Sequence, residues 1–342
     1  MKIVLDAFGG DYAPEEIIKG ACLAIKQTND ISIILTGKQN IISSLLKKYD
    51  YDTARITILN ANSVITFDEV PTTAIKHKTD SSIVIALETL KHNFDVVGVV
   101  SAGSTGALLV GGLLKLGRIA GVSRPALMPV LPTITNSMVG LIDCGANMDC
   151  KPINLCHFAV MGSVYMRAIY NVPNPRVALL NIGTEESKGN ELTKQTYILL
   201  KNSPINFVGN VEARDVLSGQ VDLVVSDGFN GNVLLKSSEG MALTVMHMLK
   251  KFVKSDFKSK IGAILMKNSF IKLKDKLNYS QYGGAVILGL NGIVIKAHGS
   301  STAGSICTAI KQVVQLNAHN LTQEIKNEID NINSALKGMV EN

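Results

Sequence analysis

Val99-Val100-Ser101-Ala102-Gly103-Ser104-Thr105-Gly106-Ala107 is a β-branched run that passes through a Ser/Gly/Thr loop into a stretch of helical character. The same order recurs along the chain. Short apolar runs at 2–6, 31–36, 56–60, 96–101, 139–143, 177–181, 223–226 and 293–296 read as strands. Between them, 15–27, 82–92, 105–116, 154–169, 191–200 and 231–249 carry apolar residues at helical spacing. Strands that alternate with helices need crossover connections, so their sheet is mainly parallel and covered on both faces. The expected fold class is α/β, as a three-layer α/β/α arrangement.

Composition agrees with a packed protein of this kind. The chain has 342 residues, 46% hydrophobic and 18% charged, enough apolar surface for one large core or two modest ones and too much for disorder. No low-complexity linker, fixed-period repeat or break in composition divides it. The expectation is a single catalytic unit over 1–342, with room for two lobes.

The formal net charge is +6, and its placement decides its meaning. Residues 246–276 hold nine lysines against Asp256 and Asp275, so the whole basic excess sits there. Leu249, Phe252, Val253, Phe257, Ile261, Ile264 and Leu265 lie between those lysines at helical spacing. A basic amphipathic helical excursion of this kind suits the surface of an anionic membrane, with Phe257, Ile261, Ile264 and Leu265 facing the lipid. A solvated core helix and a dock for an acidic protein are the other readings of the pattern. Arginine is absent from the segment, which argues against nucleic acid as the partner.

Residues 1–11 have no basic start or long apolar run of a leader, and no stretch reaches ~18 apolar residues. A cytoplasmic protein is therefore expected. Cys22, Cys144, Cys150, Cys156 and Cys307 include no C-x-x-C pair, and buried thiols are favoured over a zinc site despite His157 beside Cys156. No zinc site is expected.

Six strands end in bursts of small and polar residues. The first supplies Asp6, Gly9, Gly10 and Asp11, the second Ser101, Gly103, Ser104, Thr105 and Gly106, and the third Asn147. Asn181, Lys188 and Asn190 follow, then Asp227, Asn230 and Asn232, and finally Lys296, His298 and Ser300. In a parallel sheet such ends share one edge, where open α/β sheets bind ligands. An edge rich in N–H donors, amides and a few cations suits a small oxyanion. Helix capping is the plain alternative for each burst taken alone. Arg118 and Arg124 follow the Ser/Gly helix and have the reach to fold back over its loop; a charge matched to the helix dipole is the plain reading for Arg118.

In order, 6–14, 101–108, 117–125, 142–152, 161–163, 181–191, 207–215, 227–240 and 282–301 resemble signatures of the acyl-acyl carrier protein:phosphate acyltransferase family of bacterial phospholipid synthesis. The resemblance spans residue 1 to about 310. It implies a homodimeric fold similar to phosphate acetyltransferases and the isopropylmalate dehydrogenase group, working without metal or nucleotide. It also implies transfer of a long-chain fatty acyl group from acyl carrier protein to inorganic phosphate at the inner face of the membrane. A downstream membrane glycerol-phosphate acyltransferase is then the user of the acyl phosphate. Two departures stand out: Ser104 replaces the family's usual Asn, and residues 72–77 vary a stretch that more often carries Arg.

Phosphate is itself a nucleophile and thiolate a good leaving group, so this chemistry needs orientation and charge stabilisation more than a protein nucleophile. The expected assignment gives phosphate to the 101–106 backbone, Arg124 and Lys296, and chemistry to His298, Lys188, Asn147 and Asp6. His298 is the candidate for protonating the leaving thiolate. Gly9, Gly10, Asp11, Asn181, Asn190, Asp227, Asn230, Asn232 and Ser300 complete the pocket. A phosphate acetyl- or butyryltransferase acting on coenzyme A thioesters shares the chemistry, and donor choice separates the two. A membrane-attached ligand sensor without catalysis is the reading from another class.

Overall fold

The computed structural model describes residues 1–277 and 283–340; Tyr282, where the last motif begins, and the side chains of Lys274 and Asp275 lie outside the described residues. In chain order the strands are β1 (Lys2–Asp6), β2 (Ser32–Gly37), β3 (Ile56–Asn60), β4 (Val96–Ser101), β5 (Ala126–Met128), β6 (Val130–Pro132), β7 (Met138–Ile142), β8 (Val177–Asn181), β9 (Phe207–Glu212), β10 (Leu223–Val225), β11 (Ala285–Leu288) and β12 (Ile293–Lys296). The α-helices are α1 (Glu15–Gln27), α2 (Gln39–Leu46), α3 (Pro71–His77), α4 (Ser82–His92), α5 (Thr105–Gly111), α6 (Pro152–Tyr170), α7 (Glu191–Lys201), α8 (Gly228–Val253), α9 (Phe257–Leu265), α10 (Lys267–Leu277), α11 (Ala303–Ala318) and α12 (Leu321–Val340).

The strands form two sheets. One has seven strands in the order β3-β2-β1-β4-β12-β11-β5, the other five in the order β6-β7-β10-β8-β9. Pairing is parallel from β3 to β12, while β11 and β5 add an antiparallel edge, and β6 does the same for the second sheet. The chain leaves the first sheet at β5 and enters the second at β6 through Pro129 alone. Proline lacks the N–H that a continuing ladder needs, and its carbonyl accepts from Leu141 N–H at 3.1 Å across the junction.

Helices cover the sheets, so the class is α/β. The layers meet in one core cluster that holds Ile3 and Leu5 of the first sheet, Leu223 and Val225 of the second, and Phe158, Met161 and Tyr165 of α6. Every residue of α6 from Asn154 to Met166 is buried. A helix apolar on all sides belongs between layers, which accounts for its weak amphipathic period.

The arm made by α8, α9 and α10 departs from this scheme. Only Gly228, Gly231 and Leu235 of α8 are buried, and α9 buries nothing. The arm touches the body again where Lys276 Nζ donates to Asn136 Oδ1 at 2.6 Å. Among the described residues, no helix is long and apolar enough to cross a membrane.

Candidate active site

The carboxyl ends of β1, β4 and β12 lie side by side, and Lys296 stands in register with Ser101. Ser101 Oγ donates to Asp6 Oδ2 at 2.7 Å and accepts from Gly103 N–H at 3.0 Å. Asp6 also accepts from Phe8 N–H at 3.2 Å. Burial pushes its carboxyl above the usual range, against the opposing hydrogen bonds from Ser101 and the backbone. A Cβ added to Gly9 would fall 2.5 Å from Gly103 N, so only glycine lets the two loops touch.

This arrangement turns Gly103 N–H inward. Ser104 caps α5, its Oγ accepting from Ala107 N–H at 3.3 Å. The N–H groups of Thr105 and Gly106, in the first turn, have no partner within the helix.

Lys296 is 9% exposed and donates from Nζ to the Ala102 carbonyl at 3.3 Å and to its neighbour's carbonyl at Ala297. Burial pulls its pKa down to about 8, although Asp11 and Asp6 oppose the shift. Two residues on, His298 Nδ1 accepts from Ser300 N–H at 3.2 Å and lies 2.8 Å from Ser300 Oγ. An accepting Nδ1 assigns the ring proton to Nε2. Burial pushes the His298 pKa below its ordinary value, with Glu239 opposing, so the imidazole is neutral near pH 7.

Thr105, Lys296 and His298 line a cavity of about 310 Å³ that also receives Asn232, Lys236 and Glu239 from α8. Lys236 Nζ pairs with Glu239 Oε2 at 2.8 Å. The same lining includes buried apolar side chains at Leu127, Cys144 and Leu235, with the buried Tyr165 beside them.

Other expected site residues take structural positions. Asp227 caps α8, accepting from Phe229 and Asn230 N–H, and Asn230 Nδ2 returns to Asp227 Oδ2 at 2.6 Å. Asn147 gives its amide to the Pro125 carbonyl and to Asp143 Oδ2, and so clamps the loop after β7. Asn181, Lys188 and Asn190 form a turn of their own: Asn181 Nδ2 donates to the Lys188 carbonyl, and Asn190 caps α7. Arg118 reaches the Ser123 carbonyl, and Arg124 the Asp149 carbonyl at 3.1 Å, neither of them in the 101–106 loop. None of these eight is among the described residues that line the cavity.

A family model described as fatty acid synthesis protein matches residues 1–324. The chain belongs to that family. It is 50% identical over 330 residues to a phosphate acyltransferase of Clostridium novyi, covering 96% of this chain and 99% of the relative. A phosphate acyltransferase of Bacillus cereus is 47% identical over 330 residues, covering 96% and 98%. Among solved structures, a phosphotransacetylase from Streptococcus pyogenes aligns with TM-score 0.61 at 18% identity, covering 95% of this chain and 94% of that one. A branched-chain phosphotransacylase from Enterococcus faecalis gives TM-score 0.54 at 14% identity, covering 92% and 99%. These distant structures share the fold.

This acyltransferase of the fatty acid synthesis family carries three site features that the sequence reading passed over: Lys236, Glu239 and Tyr165. Each sits inside a helix, away from the glycine-rich turns that drew attention. A usable signal existed for the first two. A helix that starts at a strand's carboxyl end begins beside the crevice, and Lys236 and Glu239 lie in turns three and four of α8.

Proposed function

We propose that the enzyme transfers a long-chain fatty acyl group from acyl carrier protein to inorganic phosphate, giving acyl phosphate for phospholipid synthesis. The observation that carries this reading is the meeting of Lys296, His298 and Thr105 in one cavity that apolar side chains also line. Phosphate sits against the Thr105 and Gly106 N–H groups and the Lys296 ammonium. One phosphate oxygen attacks the thioester carbonyl carbon, and His298 Nε2–H donates to the oxyanion that forms. The C–S bond then breaks, and the phosphate's own proton ends on the carrier thiol, with Lys296 placed to relay it. A pKa of about 8 suits that relay, since a thiol titrates near ~8.5. Asp6 and Ser101 position the loop that opens α5, and Asn147 holds the loop after β7, without touching substrate.

The arm supports two associations. Phe257 is 76%, Ile264 72% and Leu265 82% exposed, and with Ile261 and the lysines between them they suit the surface of an anionic membrane. Attraction amounts to about 1 kcal/mol per lysine near such a surface. Met241, Val245, Met248 and Phe252 make a separate exposed seam at i, i+4, i+7 and i+11, which fits the same seam of a second copy in a homodimer. A site beside the membrane hands acyl phosphate directly to a membrane glycerol-phosphate acyltransferase.

The test is incubation of the protein with long-chain acyl carrier protein and phosphate, trapping acyl phosphate with hydroxylamine and counting released carrier thiol. The proposal expects both products in equal amounts and only with phosphate present. Equal or faster reaction with acetyl-coenzyme A reassigns the donor, and absence of phosphate-dependent thioester cleavage contradicts the reading.

A further inference from the structure

The cavity is too small for the substrate just proposed. A void of ~150 Å³ holds one benzene ring, so about 310 Å³ holds on the order of a dozen heavy atoms. Phosphate and the thioester group take most of that room. A long acyl chain must leave the cavity, and the wall at Tyr165 is held in place. Tyr165 is fully buried, and its hydroxyl accepts from Gln312 Nε2 at 2.7 Å. Gln312 is fixed in turn by Gly284, accepting from its N–H at 3.0 Å and donating to its carbonyl at 3.2 Å.

One wall does not stop at the cavity. Leu235 and Glu239 of α8 line it, and the same side of that helix continues outward as Ala242, Met246, Leu249 and Val253. At 100° per residue these six positions fall within about 40° of one direction. The four outer residues are half-buried, whereas Met241, Leu243, Val245 and Met248 around them are exposed. Glu239 is the charged member of the row, and Lys236 pairs with it at 2.8 Å. The row therefore runs from the cavity to the arm as a strip with five apolar positions and one neutralised carboxylate.

We propose that this strip is the subsite for the distal part of the acyl chain, which runs from the cavity along α8 past Ala242 and Met246 toward Leu249 and Val253. The inference rests on the function proposed above. The ligand is a saturated or lightly unsaturated hydrocarbon tail, recognised by contact with apolar side chains and carrying no polar group. Length preference then comes from α8 rather than from the wall at Tyr165. Each methylene removed from water strengthens binding roughly three- to fourfold, so a strip that covers several of them separates long from short donors by a wide margin.

The experiment compares kcat/KM for hexadecanoyl and butanoyl carrier protein in the full-length enzyme, Met246→Asp, Leu249→Asn and, on the exposed opposite side of α8, Thr244→Asp. The ratio of the two kcat/KM values should fall at least ~30-fold in Met246→Asp, the equivalent of losing two to three methylene contacts. It should fall in Leu249→Asn as well, and stay at the wild-type value in Thr244→Asp. An unchanged ratio in both strip variants, or an equal fall in Thr244→Asp, overturns the strip while leaving the proposed reaction standing. A wild-type enzyme inert toward both donors overturns the reaction and the strip with it.

Discussion

Ser101 Oγ bridges Asp6 Oδ2 and Gly103 N–H, at 2.7 and 3.0 Å, so a carboxyl group at the end of β1 shapes the loop that opens α5. Removing the acceptor in Asp6→Ala leaves the buried Ser101 hydroxyl unpaired and should cost about 1–3 kcal/mol of stability. Asp6→Asn keeps an acceptor and loses the buried charge. Because burial raises the Asp6 pKa in the folded state, its stabilising effect is complete below the unfolded value and is lost as pH rises through the folded one. Chemical denaturation at several pH values should show the stability difference between wild type and Asp6→Asn moving against wild type as pH rises over that window.

His298 holds its proton on Nε2, burial lowers its pKa, and in the proposed reaction that N–H donates to the oxyanion. His298→Ala should lower kcat about 10²–10³-fold, as loss of one such donor does. His298→Gln, which can still donate, should recover part of that loss. Equal rates for wild type and His298→Ala across pH would remove the residue from the mechanism.

Gly231 holds α8 against the second sheet. A Cβ there would lie 1.9 Å from the Asp143 carbonyl oxygen, and Asp143 already accepts from Leu127, Ala146 and Asn147 N–H. Gly231→Ala should therefore shift α8 and destabilise by about 1–3 kcal/mol, the usual range for overpacking. Gly240, with nothing near it, is the control: alanine there should stabilise the helix slightly. Thermal melts of the two variants should move in opposite directions.

Membrane contact through the arm predicts that Phe257→Glu and Ile264→Glu each weaken binding to anionic liposomes, with turnover on soluble substrate kept. Raising salt should weaken wild-type binding too, since lysine attraction is screened. Co-sedimentation with vesicles reads both effects. Binding that survives both substitutions contradicts the placement.

Particular elements explain how much of this was legible in the sequence. β1, β3, β4, β8 and β12 lie where β-branched runs placed them, as do α1 and α4, because each pairs a long apolar period with a clear glycine or polar boundary. β5, β6 and β11 span three or four residues, too short to show alternation, and Pro129 hides the switch between sheets. β9 contains Gly209 and Asn210, both poor strand residues. The second sheet stayed invisible because its parallel strands read the same as those of the first. At the site, Lys296 and His298 were legible as polar residues closing a strand. Asn147, Asp227 and Asn190 carry the same signature, and in the structure they clamp or cap. Composition alone does not separate an amide that holds a loop from one that holds a ligand.

The central claim is that phosphate meets the thioester beside Lys296. The direct measurement is kcat/KM for phosphate in Lys296→Met, at saturating long-chain acyl carrier protein, with a melting curve on the same sample. A loss of about 10²-fold or more is expected, on the scale of one preorganised transition-state donor, with the fold intact because a buried charge has been replaced by an apolar chain of similar length. Unchanged phosphate kinetics in a folded Lys296→Met enzyme would contradict it.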